Sequence, residues 1–167
     1  MPDVLTHVLV GYVVGTLLAT RSEALGHEAV TVTMAGALAP DFVKIKHLVP
    51  DASVEAALGV PFSWAPLHAI SGVVVVALLA GLVVGPGYRR ETTAFVAVGA
   101  ATHLVLDSLL YRPTGYATEL FVPFSVYRFP AGMLYVSSDR WPAAVAGGVA
   151  ACTWGWRRYA DRRSADS

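Results

Sequence analysis

Five long stretches of this chain each hold at most one charged residue, and this pattern limits the folds open to it. The core of a bilayer, about 30 Å thick, is crossed by about 20 largely apolar helical residues. Only 14% of the residues are charged, whereas soluble domains carry about 25%. We therefore predict an all-α fold, a polytopic membrane helix bundle of four to five helices that forms a single integral membrane domain over residues 1–167. The predicted helices cover residues 4–20, 29–43, 68–88, 92–111 and 141–156 in rough bounds.

The remaining composition excludes several classes of protein. Twelve Lys and Arg residues balance 12 Asp and Glu residues, so we expect no basic stripe and no nucleic-acid partner. The one cysteine, Cys152, excludes an internal disulfide framework and a thiolate metal cluster. A hydrophobic fraction of 55% is too high for a disordered chain.

The distribution of Lys and Arg predicts the orientation of the bundle. Cytoplasmic loops of membrane proteins carry an excess of these residues. Five spans with the amino terminus outside put seven of them inside and five outside, and the cluster Arg157–Arg163 marks the C-terminus as cytoplasmic. We expect an integral membrane protein with its C-terminus in the cytoplasm. Its two long connections, 44–67 and 112–140, then lie on the extracytoplasmic face.

Ionisable side chains in the apolar runs are the candidate functional residues, because each costs about 2.5–3.5 kcal/mol in a bilayer. The chain places five of them there: His7, Asp41, His68, His103 and Asp107. In an alternating bundle, the starts of odd helices and the ends of even helices share one face. All five residues are therefore predicted at the same membrane face and at a similar shallow depth.

Imidazole and carboxylate groups that converge in a partly dry pocket are typical of a metal site. His103 and Asp107 are spaced i, i+4 and project from one helix face. A donor set of His and Asp without Cys suits a divalent metal, zinc foremost, with manganese or iron as alternatives. About three protein ligands make a catalytic zinc site, so the five residues could hold one ion or two.

Each of these residues also has a simpler interpretation. His7 could be a packing histidine, and His103 and Asp107 could bond only to each other. Asp41 follows Pro40 and could cap the next turn, whereas His68 follows Pro66 and could be an exposed helix start. Their predicted position on one face favours the metal site over these separate explanations.

The same residues resemble the motifs of the YdjM-like family, which comprises small membrane-bound metal-dependent hydrolases. The matching segments follow the family order along the chain: Thr6-His7 with Gly11, Pro40-Asp41, Leu67-His68, Thr102-His103 with Asp107, and Phe121–Ser125 with Arg128. The family is thought to be remotely similar to zinc-dependent phospholipase C. The resemblance therefore implies a metal site and the cytoplasmic (inner) membrane of a prokaryote, and it suggests a phosphoester substrate.

The chain departs from the family motifs at three points. Ser63 stands where the family has the first histidine of its H-R-G-x-[TS]-H-S motif, and Trp64 replaces the arginine. Ala69 follows His68 in place of serine, and Val43 replaces the second aspartate of P-D-x-D. The loss of one His and one Asp is consistent with a single ion or with an inactive relative.

The predicted function is a membrane-bound metal-dependent hydrolase that acts on a phosphoester, lipid-linked in view of the headgroup depth of the site. Asp41 would act as general base, and Arg128 would pair with the phosphate. Membrane lipid is the expected partner, and the oligomeric state stays open. Two alternatives remain: a non-catalytic membrane metal- or partner-binding protein on the same scaffold, and a small transporter that uses His103 and Asp107 as an ion relay.

Overall fold

The computed structural model describes residues 4–165, and these residues form an all-α fold, as predicted. No strand occurs among them, and β-pairing is limited to two isolated bridges. The α-helices are α1 Val4–Ala19, α2 Glu28–Leu38, α3 Asp51–Leu58, α4 Ile70–Val83, α5 Arg89–Ser108 and α6 Trp141–Ala165. Short 3₁₀ helices cover Ala39–His47, Ala65–His68 and Pro86–Tyr88.

The helices pack in the spatial order α6, α1, α2, α5, α4, so that α2 lies between α1 and α5. Small residues allow the close approach of these helices. A methyl group at Gly11 of α1 would lie 2.9 Å from Cβ of Ala37 in α2, and one at Gly99 of α5 would overlap the Thr33 carbonyl oxygen. The central position of α2 brings its C-terminal end beside α5.

Several helices of the structure differ from the rough predicted bounds. The second helix ends at Leu38 instead of residue 43, because Pro40 lacks the N–H that a continuing α-helix needs, and a 3₁₀ helix follows. The 44–67 connection contains α3, which ends at Gly59 in a left-handed conformation with φ 69°. The third helix begins at Ile70 and ends at Val83, shortly before Pro86.

The last two helices also differ from their predicted bounds. Helix α5 begins at Arg89 and ends at Ser108, and α6 continues to Ala165 instead of ending at residue 156. The arginines and alanines after Trp156 explain the extension, because both residue types favour a helix. The charge of the arginines is compatible with a solvated helix end.

Within residues 4–165, no helix is both long enough and apolar enough to cross a bilayer. The prediction of membrane-crossing helices is therefore not supported by the helices as formed. Helix α1 has 16 residues and α4 has 14, which correspond to about 24 Å and 21 Å against the hydrocarbon core of about 30 Å. Helices α5 and α6 are longer but include several charged residues.

The 112–140 loop is fastened to the bundle at the end of α5 and the start of α4. Ile70 N donates to the Leu120 carbonyl at 2.9 Å, and Ser71 Oγ donates to the Val122 carbonyl at 2.6 Å. The Tyr135 hydroxyl donates to the Leu106 carbonyl at 2.6 Å. These bonds hold the loop over the end of the bundle where the candidate site lies.

The opposite end of the bundle has a different polar anchor. The Glu91 carboxylate at the start of α5 accepts hydrogen bonds from Ser22 Oγ and from the N–H groups of residues 23–25 in the α1–α2 loop. These hydrogen bonds, that of Ser22 first, lower the pKa of Glu91 to about 2. The contact joins the α1–α2 loop to α5 far from the candidate site.

Candidate metal centre and adjoining cavity

Four elements bring the five candidate side chains together at one end of the bundle. His7 comes from α1, and His103 and Asp107 come from α5. Asp41 lies in the 3₁₀ helix after α2, and His68 ends the 3₁₀ helix before α4. The structure therefore assembles in space the residues that the sequence places at equivalent ends of successive helices.

The most deeply buried part of the cluster consists of His7, His103 and Asp107, each at most 1% exposed. One donor atom from each residue lies within 4.8 Å of the others, so these three could hold a metal ion. His7 Nε2 is 3.6 Å from Asp107 Oδ1, and His103 Nε2 is 3.9 Å from Asp107 Oδ2. The rings of His7 and His103 stack with centroids 3.7 Å apart.

His68 and Asp41 lie at the edge of this buried group. His68 Nε2 is 2.9 Å from Asp107 Oδ2 and 3.2 Å from His103 Nε2. Asp41 Oδ1 is 3.8 Å from His103 Nε2, while its Oδ2 accepts a hydrogen bond from Lys44 Nζ at 2.7 Å. One oxygen of Asp41 thus faces the cluster and the other is held by a lysine.

The hydrogen bond at the far side of the His103 ring fixes its tautomer. His103 Nδ1 is 2.8 Å from the Ala37 carbonyl oxygen, which only accepts, so Nδ1 carries the proton. The neutral ring then presents the lone pair of Nε2 to the cluster. Metal-binding histidines usually have such a carbonyl or carboxylate behind the ring.

Several atoms of the cluster that could bind a metal are buried without a hydrogen-bond partner: both ring nitrogens of His7, Oδ1 of Asp41 and both carboxylate oxygens of Asp107. A buried polar group without a partner costs about 1–3 kcal/mol, and more if charged. Asp107 Oδ2 lies near His68, but without the geometry of a hydrogen bond. These atoms therefore lie close to other polar groups of the cluster without forming hydrogen bonds.

The spacing of the donor atoms fits a bound cation. Bonds of about 2.0–2.1 Å to a tetrahedral ion place neighbouring ligand atoms about 3.3 Å apart. The five donor pairs lie 2.9–3.9 Å apart. A divalent cation could take one ligand atom each from His7, His103 and Asp107 and would offset the carboxylate charge.

The geometry disfavours two of the simpler interpretations. His103 and Asp107 do not pair only with each other, because their closest atoms are 3.9 Å apart. His68 is not an exposed helix start, since it is 9% exposed and contacts two members of the cluster.

A cavity of about 460 Å³ adjoins the cluster, and its lining includes His68 and Asp107. Three cationic side chains also line it: Lys46, Arg112 and Arg128. Arg128, the predicted phosphate-binding residue, donates from Nε to Glu119 Oε1 at 2.9 Å and from Nη2 to the same oxygen. Its charge is thus already balanced within the cavity wall.

Arg112 and Lys46 are cavity residues that the sequence interpretation treated only as orientation signals. Among the described residues, neither side chain has a carboxylate within ion-pair distance. The signal that could have found Arg112 is its position five residues after Asp107, just beyond the end of α5.

Tyr135 is a second missed neighbour of the cluster. It is 5% exposed, and burial together with the negative charge of Asp107 raises the pKa of its hydroxyl to about 12. In the sequence, Tyr135 is one of several aromatic residues in the 112–140 loop, and nothing distinguishes it from the others.

Comparison with known proteins gives one family match. The model of the family described as YdjM inner membrane protein matches residues 1–164. No curated protein and no solved structure matches the chain.

Proposed function

This chain belongs to the YdjM inner membrane protein family, and we propose that its buried His and Asp cluster is the metal centre of a membrane-bound phosphoester hydrolase. One observation carries the proposal: five nitrogen and oxygen atoms of His7, Asp41 and Asp107 are buried without a hydrogen-bond partner, and His7 Nε2 lies 3.6 Å from Asp107 Oδ1. A cluster built only for packing would pair these atoms, since unpaired buried polar groups are costly.

His7, His103 and Asp107 would hold the ion, with His68 and Asp41 at its edge. Zinc is our choice of ion, because imidazole and carboxylate donors at tetrahedral spacing are typical of zinc sites. When bound, such an ion supplies Lewis-acid chemistry and a water of lowered pKa. The Ala37 carbonyl keeps the His103 ring in the tautomer that this role requires.

Asp41 is our candidate for the general base. Its Oδ2 is engaged by Lys44, which fixes the carboxylate, and its Oδ1 is left without a partner on the side of the cluster. An oxygen in that position can accept a proton from an attacking water.

Exposed apolar side chains support a membrane setting. One face of α4 exposes Val74, Val75, Leu78 and Leu79 by 50–55% each. Contiguous apolar surface of this kind marks a membrane or partner contact. We propose that the helical body is embedded in the inner membrane, with the cluster at the extracytoplasmic headgroup level and the C-terminus in the cytoplasm. A lipid-linked phosphoester is then the substrate within reach.

The test is hydrolysis of phosphoesters by the detergent-purified full chain loaded with zinc or manganese. The wild type should release phosphate or alcohol from a lipid phosphoester, and EDTA should stop the reaction. His103→Ala should abolish turnover, whereas His27→Ala, which removes an exposed histidine outside the cluster, should leave it unchanged. Turnover that survives His103→Ala would contradict the proposal.

The position of Val43 favours a second candidate, a non-catalytic metal- or partner-binding protein. Val43 is 8% exposed and lines the cavity where the family motif would place a second aspartate. A missing carboxylate at that point lowers the charge available for a second ion. This candidate predicts stoichiometric metal binding, sensitive to His103→Ala, with no hydrolysis of any phosphoester.

A further inference from the structure

We propose that Arg112 and Lys46 form a binding site for a phosphomonoester group in the cavity beside the metal cluster. The inference rests on the proposed function only for the hydrolysis of the bound phosphoester. The binding site itself is made of side chains outside the cluster. It assigns the recognition of phosphate to Arg112 rather than to Arg128.

Arg112 is the cation in the cavity wall that has an unpartnered buried nitrogen. Its Nε is buried and has no hydrogen-bond partner. The guanidinium group presents five donors in a planar fork that matches the oxygens of phosphate. Because an unpartnered buried donor of a charged group is costly, an anionic oxygen in the cavity would stabilise this side chain.

Arg128 differs from Arg112 because it forms an ion pair within the cavity wall. Two of its nitrogens bond to Glu119 Oε1, so this pair contributes no net charge. Arg112 and Lys46 then remain as the cations of the lining without an ion-pair partner among the described residues. A phosphomonoester carries close to two negative charges at neutral pH, and its oxygens can contact both cations.

The cavity has the size and position for such a ligand. Its volume of about 460 Å³ falls within the range of about 300–1,000 Å³ that is typical of small-molecule sites. His68 and Asp107 belong both to the cavity lining and to the metal cluster. A phosphate group held by Arg112 therefore lies beside the groups that would act on its ester bond.

The ligand chemistry has two sources, a lipid headgroup and a soluble phosphate ester, and binding measurements distinguish them. The full chain in a neutral detergent would be titrated with inorganic phosphate, with glycerol phosphate and with phosphatidic acid in mixed micelles. Tighter binding of phosphatidic acid than of glycerol phosphate would assign the site to a headgroup. Equal binding of both would assign it to a soluble ester, and both results support the site.

The variant Arg112→Gln should weaken binding of all three probes by about 10- to 100-fold, the loss expected for hydrogen bonds to a charged group. Lys46→Gln should weaken it less, because an exposed ammonium forms no planar fork. Arg90→Gln removes an exposed arginine at the opposite end of α5 and should leave affinity unchanged.

Each titration would be run on zinc-loaded protein and on EDTA-treated protein, with metal content measured in parallel. Loss of phosphate affinity in Arg112→Gln with unchanged metal content supports the anion site. Unchanged affinity in both Arg112→Gln and Lys46→Gln overturns it, whatever the metal content. Failure of the wild type to bind zinc would instead refute the proposed function, while the EDTA-treated samples still test Arg112.

Discussion

Replacing Asp107 by asparagine should affect the metal-loaded protein far more than the metal-free protein. Asp107 is 1% exposed, and both of its carboxylate oxygens lack a hydrogen-bond partner. Asparagine has the same shape but no charge, and it offers one acceptor oxygen. If the carboxylate serves a cation, the substitution removes a ligand while it relieves an uncompensated buried charge in the metal-free state.

The magnitude follows from the linkage between binding and folding. A ligand at about 1,000 times its Kd stabilises the folded state by about 4.1 kcal/mol, and at about 10 times its Kd by about 1.4 kcal/mol. Loss of a direct ligand should weaken binding at least about 100-fold. The variant should therefore lose about 2.7 kcal/mol of zinc-dependent stability, which corresponds to about 5–10 °C in Tm for a domain of this size.

Thermal unfolding of the detergent-purified chain, with EDTA and with zinc, measures both states. We expect Asp107→Asn to have a Tm in EDTA at least as high as that of the wild type, and zinc to raise only the wild-type Tm strongly. The opposite result is expected if the His and Asp side chains of the cluster only bond to one another. Removal of one partner of a buried ion pair costs about 3–5 kcal/mol, so Asp107→Asn would then lower the Tm in EDTA, and zinc would have no effect on either protein.

Three further substitutions test the fold that positions the cluster. Glu91→Gln should lower the Tm at pH 7, because the pKa of Glu91 is depressed from 4.5 to about 2. The higher stability of the wild type should be complete above pH 4.5 and should vanish as the pH falls through 2. Unfolding curves measured across this pH range would show the change. Gly99→Ala should lower the free energy of unfolding by about 1–3 kcal/mol, because the methyl group would overlap a carbonyl of α2. The control Gly148→Ala in α6 meets open space and should leave stability unchanged. Equal denaturation midpoints for the two variants would contradict this packing. Tyr135→Phe removes a hydrogen bond to a backbone carbonyl and should cost about 0.5–1.5 kcal/mol, whereas Tyr127→Phe, an exposed site, should cost nothing in the same unfolding assay.

The helical class and the candidate residues could be predicted from the chain because they depend on local pattern. Long apolar runs predict helices, and ionisable residues inside such runs are conspicuous. Alternation of helix direction then places His7, Asp41, His68, His103 and Asp107 at one end of the bundle, where the structure has them. The order of the motifs predicted the YdjM family, and the family model confirms it over residues 1–164.

Helix bounds and the cavity could not be predicted because they depend on backbone detail and on tertiary contacts. Pro40 changes the end of α2 into a 3₁₀ helix that carries Asp41, and hydropathy alone does not reveal that change. The pairing of Arg128 with Glu119 depends on the fold of the 112–140 loop. In the sequence, Arg112 is one topology signal among several, because its unpartnered Nε and its place in the cavity lining depend on the fold.

Metal content tests the central claim most directly. Elemental mass spectrometry would compare monodisperse wild-type protein with the double variant His103→Ala/Asp107→Ala after reconstitution with zinc or manganese. We predict about one or two equivalents of metal in the wild type and none in the variant. Absence of metal from both proteins, or equal metal in both, would contradict the assignment of this cluster as a metal centre.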